Sequence, residues 1–247
     1  MKTYIKFIST LLLTATMSTF LSSCGDEPEV SDETDTDTST DTSSSKPSNT
    51  INGHKFVDLG LPSGLLWADR NVGADSPYDY GDFFAWGETK TKTNFSHDNY
   101  KWYNTSSSSY SNYNNYDKRT TLLSSDDAAS ANWGDKWHMP SKSDIIELYF
   151  NCYWTWKSGN NAYHGTNGYL VEGPNGNEIF LPASGYIDSR GLHSKGVSGN
   201  YLSRNMGSYI YDCYAFCFGD GYVEDGNCFR TDGLSVRPVA YKWAKPE

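Results

Sequence analysis

Four cysteines (Cys152, Cys213, Cys217 and Cys228) and five histidines (His54, His97, His138, His164 and His193) are the side chains best suited to nucleophilic or metal chemistry in the body of this chain. None of them falls at zinc-ligand spacing, and His138, between Trp137 and Met139, reads as a packed or capping residue rather than a ligand. Gly-x-Ser-x-Gly, His-Glu-x-x-His and phosphate-loop patterns do not occur in the sequence. Cys213 and Cys217 read as core thiols or as members of disulfides, and four cysteines allow three pairings that the sequence leaves open. Asp220, Asp225 and Asp232 with Asn227 supply candidate oxygen ligands for calcium, although such Asp/Asn/Gly runs usually form turns. No cofactor is expected otherwise, and no catalytic residue is assigned. Binding chemistry is better represented. Residues 199–233 are dense in Tyr, Asn, Asp, Arg and Gly, and Arg204, Asn205, Tyr209, Tyr211, Tyr214, Asp220, Tyr222, Asn227 and Arg230 are the candidate ligand-binding residues. Tyrosine among small polar neighbours offers contact area at low entropic cost, and its face suits stacking on sugar rings. On a strand only alternate residues face outward, so at most half of that set is expected at a surface.

The elements that must hold these residues are mostly short strands. Phe56-Val57-Asp58-Leu59 and Leu65-Leu66-Trp67-Ala68 flank a Gly-Leu-Pro-Ser-Gly turn, and residues 169–172 and 178–181 flank Gly173-Pro174-Asn175-Gly176-Asn177, a hairpin sequence. Residues 211–218 and 234–239 give two further apolar stretches. One helix is clear: Ser141 caps it, Asp144 complements its amide end, and Ile145, Leu148, Tyr149 and Cys152 form its apolar stripe. A weaker helix is expected at residues 125–131. Residues 106–116, Ser/Tyr/Asn-rich and without apolar periodicity, read as a long exposed loop. Strands dominating around one or two helices predict an α+β domain.

Several blocks then resemble a known family. Gly60-Leu61-Pro62-Ser63-Gly64-Leu65-Leu66-Trp67-Ala68, Asp69-Arg70-Asn71-Val72-Gly73-Ala74, Tyr80-Gly81-Asp82-Phe83-Phe84-Ala85-Trp86-Gly87-Glu88, Trp137-His138-Met139-Pro140-Ser141, Leu181-Pro182-Ala183-Ser184-Gly185 and Gly233-Leu234-Ser235-Val236-Arg237-Pro238-Val239 occur in this order. Together they resemble the Fibrobacter succinogenes major paralogous domain of Bacteroidetes lipoproteins. The resemblance implies a C-type-lectin-like domain of short strands and hairpins, with one or two helices and long loops. Its formylglycine-generating branch uses a C-terminal cysteine pair; Cys213 and Cys217 lie in the right region but at a different spacing and in unmatched surroundings. The pyrimidine-compatible codon types of residues 207–241, interrupted only by Glu224, also resemble retroelement-diversified binding proteins of this fold.

The N-terminus places that domain. Lys2 and Lys6 precede an apolar run at residues 11–21, which has export-signal length. Leu21-Ser22-Ser23-Cys24 resembles the bacterial lipobox, so residues 1–23 are expected to be removed and Cys24 to carry acyl chains, each buried methylene contributing roughly 0.8 kcal/mol of membrane affinity. Gly25-Asp26-Glu27 resembles a surface-export signal. The acidic tether at residues 24–50 holds eight acidic residues against one basic residue, Lys46, and almost nothing apolar. Residues 51–247 form the remaining domain. A chain with a net charge of −10 and no basic stripe is not expected to bind nucleic acid. The expectation is an outer-membrane lipoprotein, exposed at the cell surface, whose domain binds an extracellular glycan or protein without catalysis. A structural envelope lipoprotein without a ligand is the alternative. Mass spectrometry of the protein from its native membrane should find acyl chains on Cys24; an unmodified residue 24 overturns the anchor.

Overall fold

A computed structural model describes residues 49–242. The export-like segment, Cys24 and nearly all of the acidic tether lie outside the described residues. Local sequence decides the first sheet. β1 (Thr50–Ile51) and β2 (His54–Asp58) pair antiparallel, and the Gly-Leu-Pro-Ser-Gly turn returns the chain as β3 (Leu65–Ala68), whose four residues are all buried. Glu147 clamps that turn by accepting hydrogen bonds from the Ser63 amide (2.8 Å) and hydroxyl (2.6 Å). Further along lie β4 (Phe83–Phe84) and the short hairpin of β5 (Tyr103–Asn104) and β6 (Ser109–Tyr110). The stretch read as an exposed loop is therefore only partly one. Tyr113 is fully buried and Asn114 nearly so, while Tyr116 is 96% exposed. Asp117 organises the bend by accepting from the Tyr113 and Asn114 amides.

Two α-helices follow. α1 (Ala128–Trp133) begins three residues later than the sequence suggests, because Asp127 caps it by accepting from the Ala129 and Ser130 amides. Residues 124–126 form a 3-10 turn instead. α2 (Lys142–Asn151) starts at the expected place, with Ser141 and Asp144 forming a reciprocal capping box. Ile145 and Leu148 are buried as predicted, but Tyr149 is 41% exposed and Cys152 sits at the helix end. The apolar stripe is thus narrower than its sequence spacing implies.

β7 (Tyr153–Lys157), β8 (Gly168–Glu172) and β9 (Glu178–Pro182) make a three-stranded antiparallel sheet. The hairpin at residues 173–177 forms as expected and docks on the first turn: Asn175 and Asn177 both donate to the Asp58 carbonyl, and a Cβ on Gly173 would collide with Leu59 O. β10 (Tyr186–Asp188) and β11 (Gly191–His193) form a small ribbon. β12 (Ser198–Met206), β13 (Asp212–Gly219) and β14 (Tyr222–Phe229) form an antiparallel meander. It is extended by β15 (Leu234–Ser235), which runs parallel to β12 and pairs with β4. β16 (Val239–Tyr241) closes the first sheet beside β3.

The result is a set of small sheets with two α-helices among the described residues, consistent with an α+β or mainly β domain. β13 separates two cores. Cys213 and Ala215 face a cluster with Trp86, Trp137 and Met139, whereas Tyr214, Phe216 and Phe218 face one with Trp67, Ile145 and Leu181. Both faces of this strand are covered, so the alternation rule gives it no outward face.

Candidate functional site

A cleft of about 740 Å³ lies between the β5–β6 region and the strand ends around residues 210 and 229. Aromatic rings form its walls. On one side Tyr103 and Tyr110 meet edge to face at 5.5 Å, with His97 against both and its Nε2 3.2 Å from the Tyr110 hydroxyl. On the other side Tyr211 stacks on Tyr209 at 5.4 Å with planes only 7° apart, and Phe229 stands 6.3 Å from Tyr211. Tyr209, Tyr211 and Phe229 are 61%, 44% and 57% exposed. Asn114, Asn115, Ser108, Ser109 and Thr231 interleave polar groups with the rings.

Arg230 lies beneath this cleft and is fully buried. Its guanidinium donates to Tyr100 Oη (3.1 Å) and to the carbonyls of Asn112 (3.1 Å), Tyr113 (3.1 Å) and Ile210 (2.9 Å). It also stacks 4.6 Å from the Tyr110 ring and 4.8 Å from the Trp86 ring. Burial pushes the Tyr100 hydroxyl far above its ordinary pKa, so it stays neutral; it donates to the Trp86 carbonyl at 2.6 Å. The two walls are thus joined by one charged side chain inside the protein.

A second recess of about 300 Å³ adjoins the cleft at Phe229 and is lined by Asn200, Asp212, Asn227 and Asp232 among others. Asn227 is locked by Ser208, whose amide it accepts from at 3.2 Å and whose hydroxyl it donates to at 3.1 Å. Desolvation pushes the Asp232 carboxyl up to about 6, helped by the negative charge of Asp188. Asp188 itself is held well below the usual carboxylate range, first by the Arg190 guanidinium at 2.7 Å, with His193 at 2.8 Å on its other oxygen.

Of the residues expected to bind a ligand, Tyr211 lines the cleft, Tyr209 braces it and Asn227 lines the second recess. Arg230 belongs to the same site but supports it from below, which corrects its reading as a contact residue. Tyr214 is buried because β13 is a central strand; its hydroxyl donates to Asp225 at 2.6 Å, and the Lys142 ammonium lies over its ring. Arg204 and Asn205 are absorbed by packing. The Arg204 guanidinium donates to the Leu122 carbonyl, while Asn205 accepts from the Lys142 amide and donates to Thr121 Oγ1. Asp220 and Tyr222 sit at the β13–β14 turn, the far end of β14 from Phe229 and roughly 20 Å along the strand. Asp225 is engaged by Tyr214 while Asp232 lines the second recess, and no group of three metal-ligating side chains converges among the described residues. Cys213 and Cys217 do not act as a pair: the buried Cys213 thiol donates to the Cys228 carbonyl at 3.5 Å, and Cys217 Sγ faces Cys228 Sγ.

His97, Tyr103, Tyr110, Tyr116 and Phe229 are the aromatic cleft residues that sequence reasoning missed. The only available signal was the recurrence of tyrosine at 103, 110, 113 and 116 in a segment without apolar periodicity. No protein-family model, curated protein or solved structure matches this chain.

Replacing Arg230 with Met should lower stability by about 3 kcal/mol, because the buried Tyr113 carbonyl and the part-buried Asn112 and Ile210 carbonyls lose their donor. Lysine, a point charge without the planar fork, should restore only part of this. Denaturant midpoints measure the loss, and faster proteolysis within residues 97–116 would mark undocking of that wall. A wild-type-like Arg230→Met protein contradicts this account. Asp232 should titrate near pH 6 by carbon NMR and fall toward the ordinary value of 3.8 in Asp188→Asn. A carboxyl raised in the fold stabilises it fully below about pH 4, and that contribution is lost as pH rises through about 6.

Proposed function

We propose that this chain is a lipid-anchored recognition module that holds a glycan against the ring-walled cleft, without transforming it. The observation that carries this reading is the parallel Tyr209–Tyr211 stack beside Phe229 on one wall of an open cleft, with Tyr103 and Tyr110 on the other. Exposed ring faces set among Asn and Ser side chains match the two sides of a pyranose, whose C–H face is apolar and whose rim is hydroxyl. A protein loop is a weaker fit, because the polar groups around the rings are small and uncharged. The acids and thiols lie off the cleft, so its chemistry is that of contact.

Residues outside the cleft support the rest of the reading. The Leu21-Ser22-Ser23-Cys24 sequence and the acidic run behind it fit a surface-displayed outer-membrane lipoprotein. The C-type-lectin-like assignment is supported by where the family-like blocks fall: Trp137 and Ser141 lead into α2, and Gly233 to Val239 close the two sheets around β12 and β3.

The test is a glycan array followed by titration calorimetry with the full mature chain. Stacking on one ring contributes on the order of 1 kcal/mol, so Tyr211→Ala and Phe229→Ala should each weaken binding about five- to tenfold. Tyr222→Ala should leave affinity unchanged, since Tyr222 lies at the other end of β14. Absence of any glycan ligand, or equal loss in Tyr222→Ala, overturns the proposal.

A further inference from the structure

Three of the four cysteines outside the N-terminal region cluster on one face of the β13–β14 ladder. Register sets Cys213 opposite Cys228, and Cys217 opposite Glu224. On a flat ladder, residues four apart lie about 13 Å from one another. Yet Cys217 Sγ and Cys228 Sγ are 4.0 Å apart, so the ladder is coiled enough to make this face concave and bring a diagonal pair together. Cys213 is differently engaged: it is fully enclosed, and its thiol points at the Cys228 and Phe229 carbonyls. Cys152 lies at the end of α2 and packs with the opposite core.

From this arrangement we propose that Cys217 and Cys228 form an oxidative cross-link site, closed by a dialkyl disulfide as oxidant. The Cys217 thiolate attacks the oxidant's sulfur–sulfur bond, forming a mixed disulfide and releasing one thiol. Cys228, deprotonated, then displaces the second thiol and forms the intramolecular bond. Two protein thiols are oxidised, their two protons pass to the two leaving thiolates, and one disulfide is thereby reduced to two thiols. Closing the remaining gap of about 2 Å needs rotamer turns and a slight tightening of the coil. The Cys217 contact and burial hold the Cys228 thiol high, so Cys217 attacks first and Cys228 closes the bond. The bond ties β14 to β13 one residue before Phe229. It depends on the thiol geometry alone and stands or falls apart from any ligand of the cleft.

The sequence permits a clean assignment. A tryptic peptide between Arg204 and Arg230 holds all three thiols, but chymotryptic cuts after Tyr214 and Phe216 separate Cys213 from Cys217, and cleavage after Glu224 releases Cys228. The full chain is purified reduced, treated while folded with oxidised glutathione, alkylated after unfolding and digested in this way. The expected result is a Cys217–Cys228 linked peptide two hydrogens lighter than its parts, with Cys152 and Cys213 recovered alkylated. Cys213→Ala should retain the cross-link and Cys217→Ser should abolish it. Four alkylated cysteines, a Cys213–Cys228 or Cys213–Cys217 link, or a link only between chains would overturn the assignment.

Discussion

Arg230 exchanges its hydration shell for the carbonyl oxygens of Asn112, Tyr113 and Ile210, the Tyr100 hydroxyl, and the rings of Trp86 and Tyr110. No carboxylate among the described residues forms an ion pair with it. Taking such a charge out of water costs several kcal/mol even after relaxation. Four charge-assisted hydrogen bonds at about 1.5–3 kcal/mol each are enough to offset that cost, but only if every acceptor is in place. The acceptors come from two stretches of chain, residues 100–113 and residue 210, more than ninety positions apart in sequence. The cation is therefore tolerable only when both stretches are docked. Those same stretches are the two walls of the cleft.

Arg237 repeats the device a short distance on. It too is buried, and it donates to Asn71 Oδ1 (2.8 Å), the Ala68 carbonyl (3.1 Å) and the Phe180 carbonyl (2.8 Å). It joins the first sheet to the three-stranded sheet, as Arg230 joins the β5–β6 region to the meander. Both arginines arrive late in the chain and reach back to partners far earlier in it, Arg230 to Asn112 and Tyr113 and Arg237 to Ala68 and Asn71. Guanidinium suits the task better than ammonium, because its fixed fork reaches several carbonyls without further loss of freedom. In small sheets with few helices, such polar pins supply the directionality that apolar contact alone lacks.

What could be read from the sequence was what short range decides. The Gly60–Gly64 turn, the Ser141 cap and the 173–177 hairpin each depend on residues within one turn of themselves, and each formed where its residue types put it. The cleft was legible only in part. Tyr209 and Tyr211 precede β13 and remain exposed, whereas Tyr214, three residues on, is buried. The difference is tertiary: β13 acquires a neighbour on each edge and a core on each face, and no local pattern announces a central strand in an antiparallel meander. Residues 106–116 failed for the converse reason. They lack apolar periodicity because Arg230 and Asp117, not an amphipathic face, hold them down.

The same pins bear on how a cleft of this kind can bind. A ring that must be ordered by its ligand costs about 0.5–1.5 kcal/mol of side-chain freedom, comparable to what one stacking contact returns. Tyr110 avoids that cost because Arg230 backs one of its faces and His97 meets its hydroxyl; Tyr211 avoids it because Tyr209 backs it at 5.4 Å. Tyr116, 96% exposed at the cleft's rim, has no comparable ring support among the described residues, and under the proposed function it would offer correspondingly less net affinity for the same ring area. Under the proposed function, affinity would follow which rings are held from behind rather than how many are exposed: Tyr110 by the buried Arg230 cation, Tyr211 by its neighbour Tyr209.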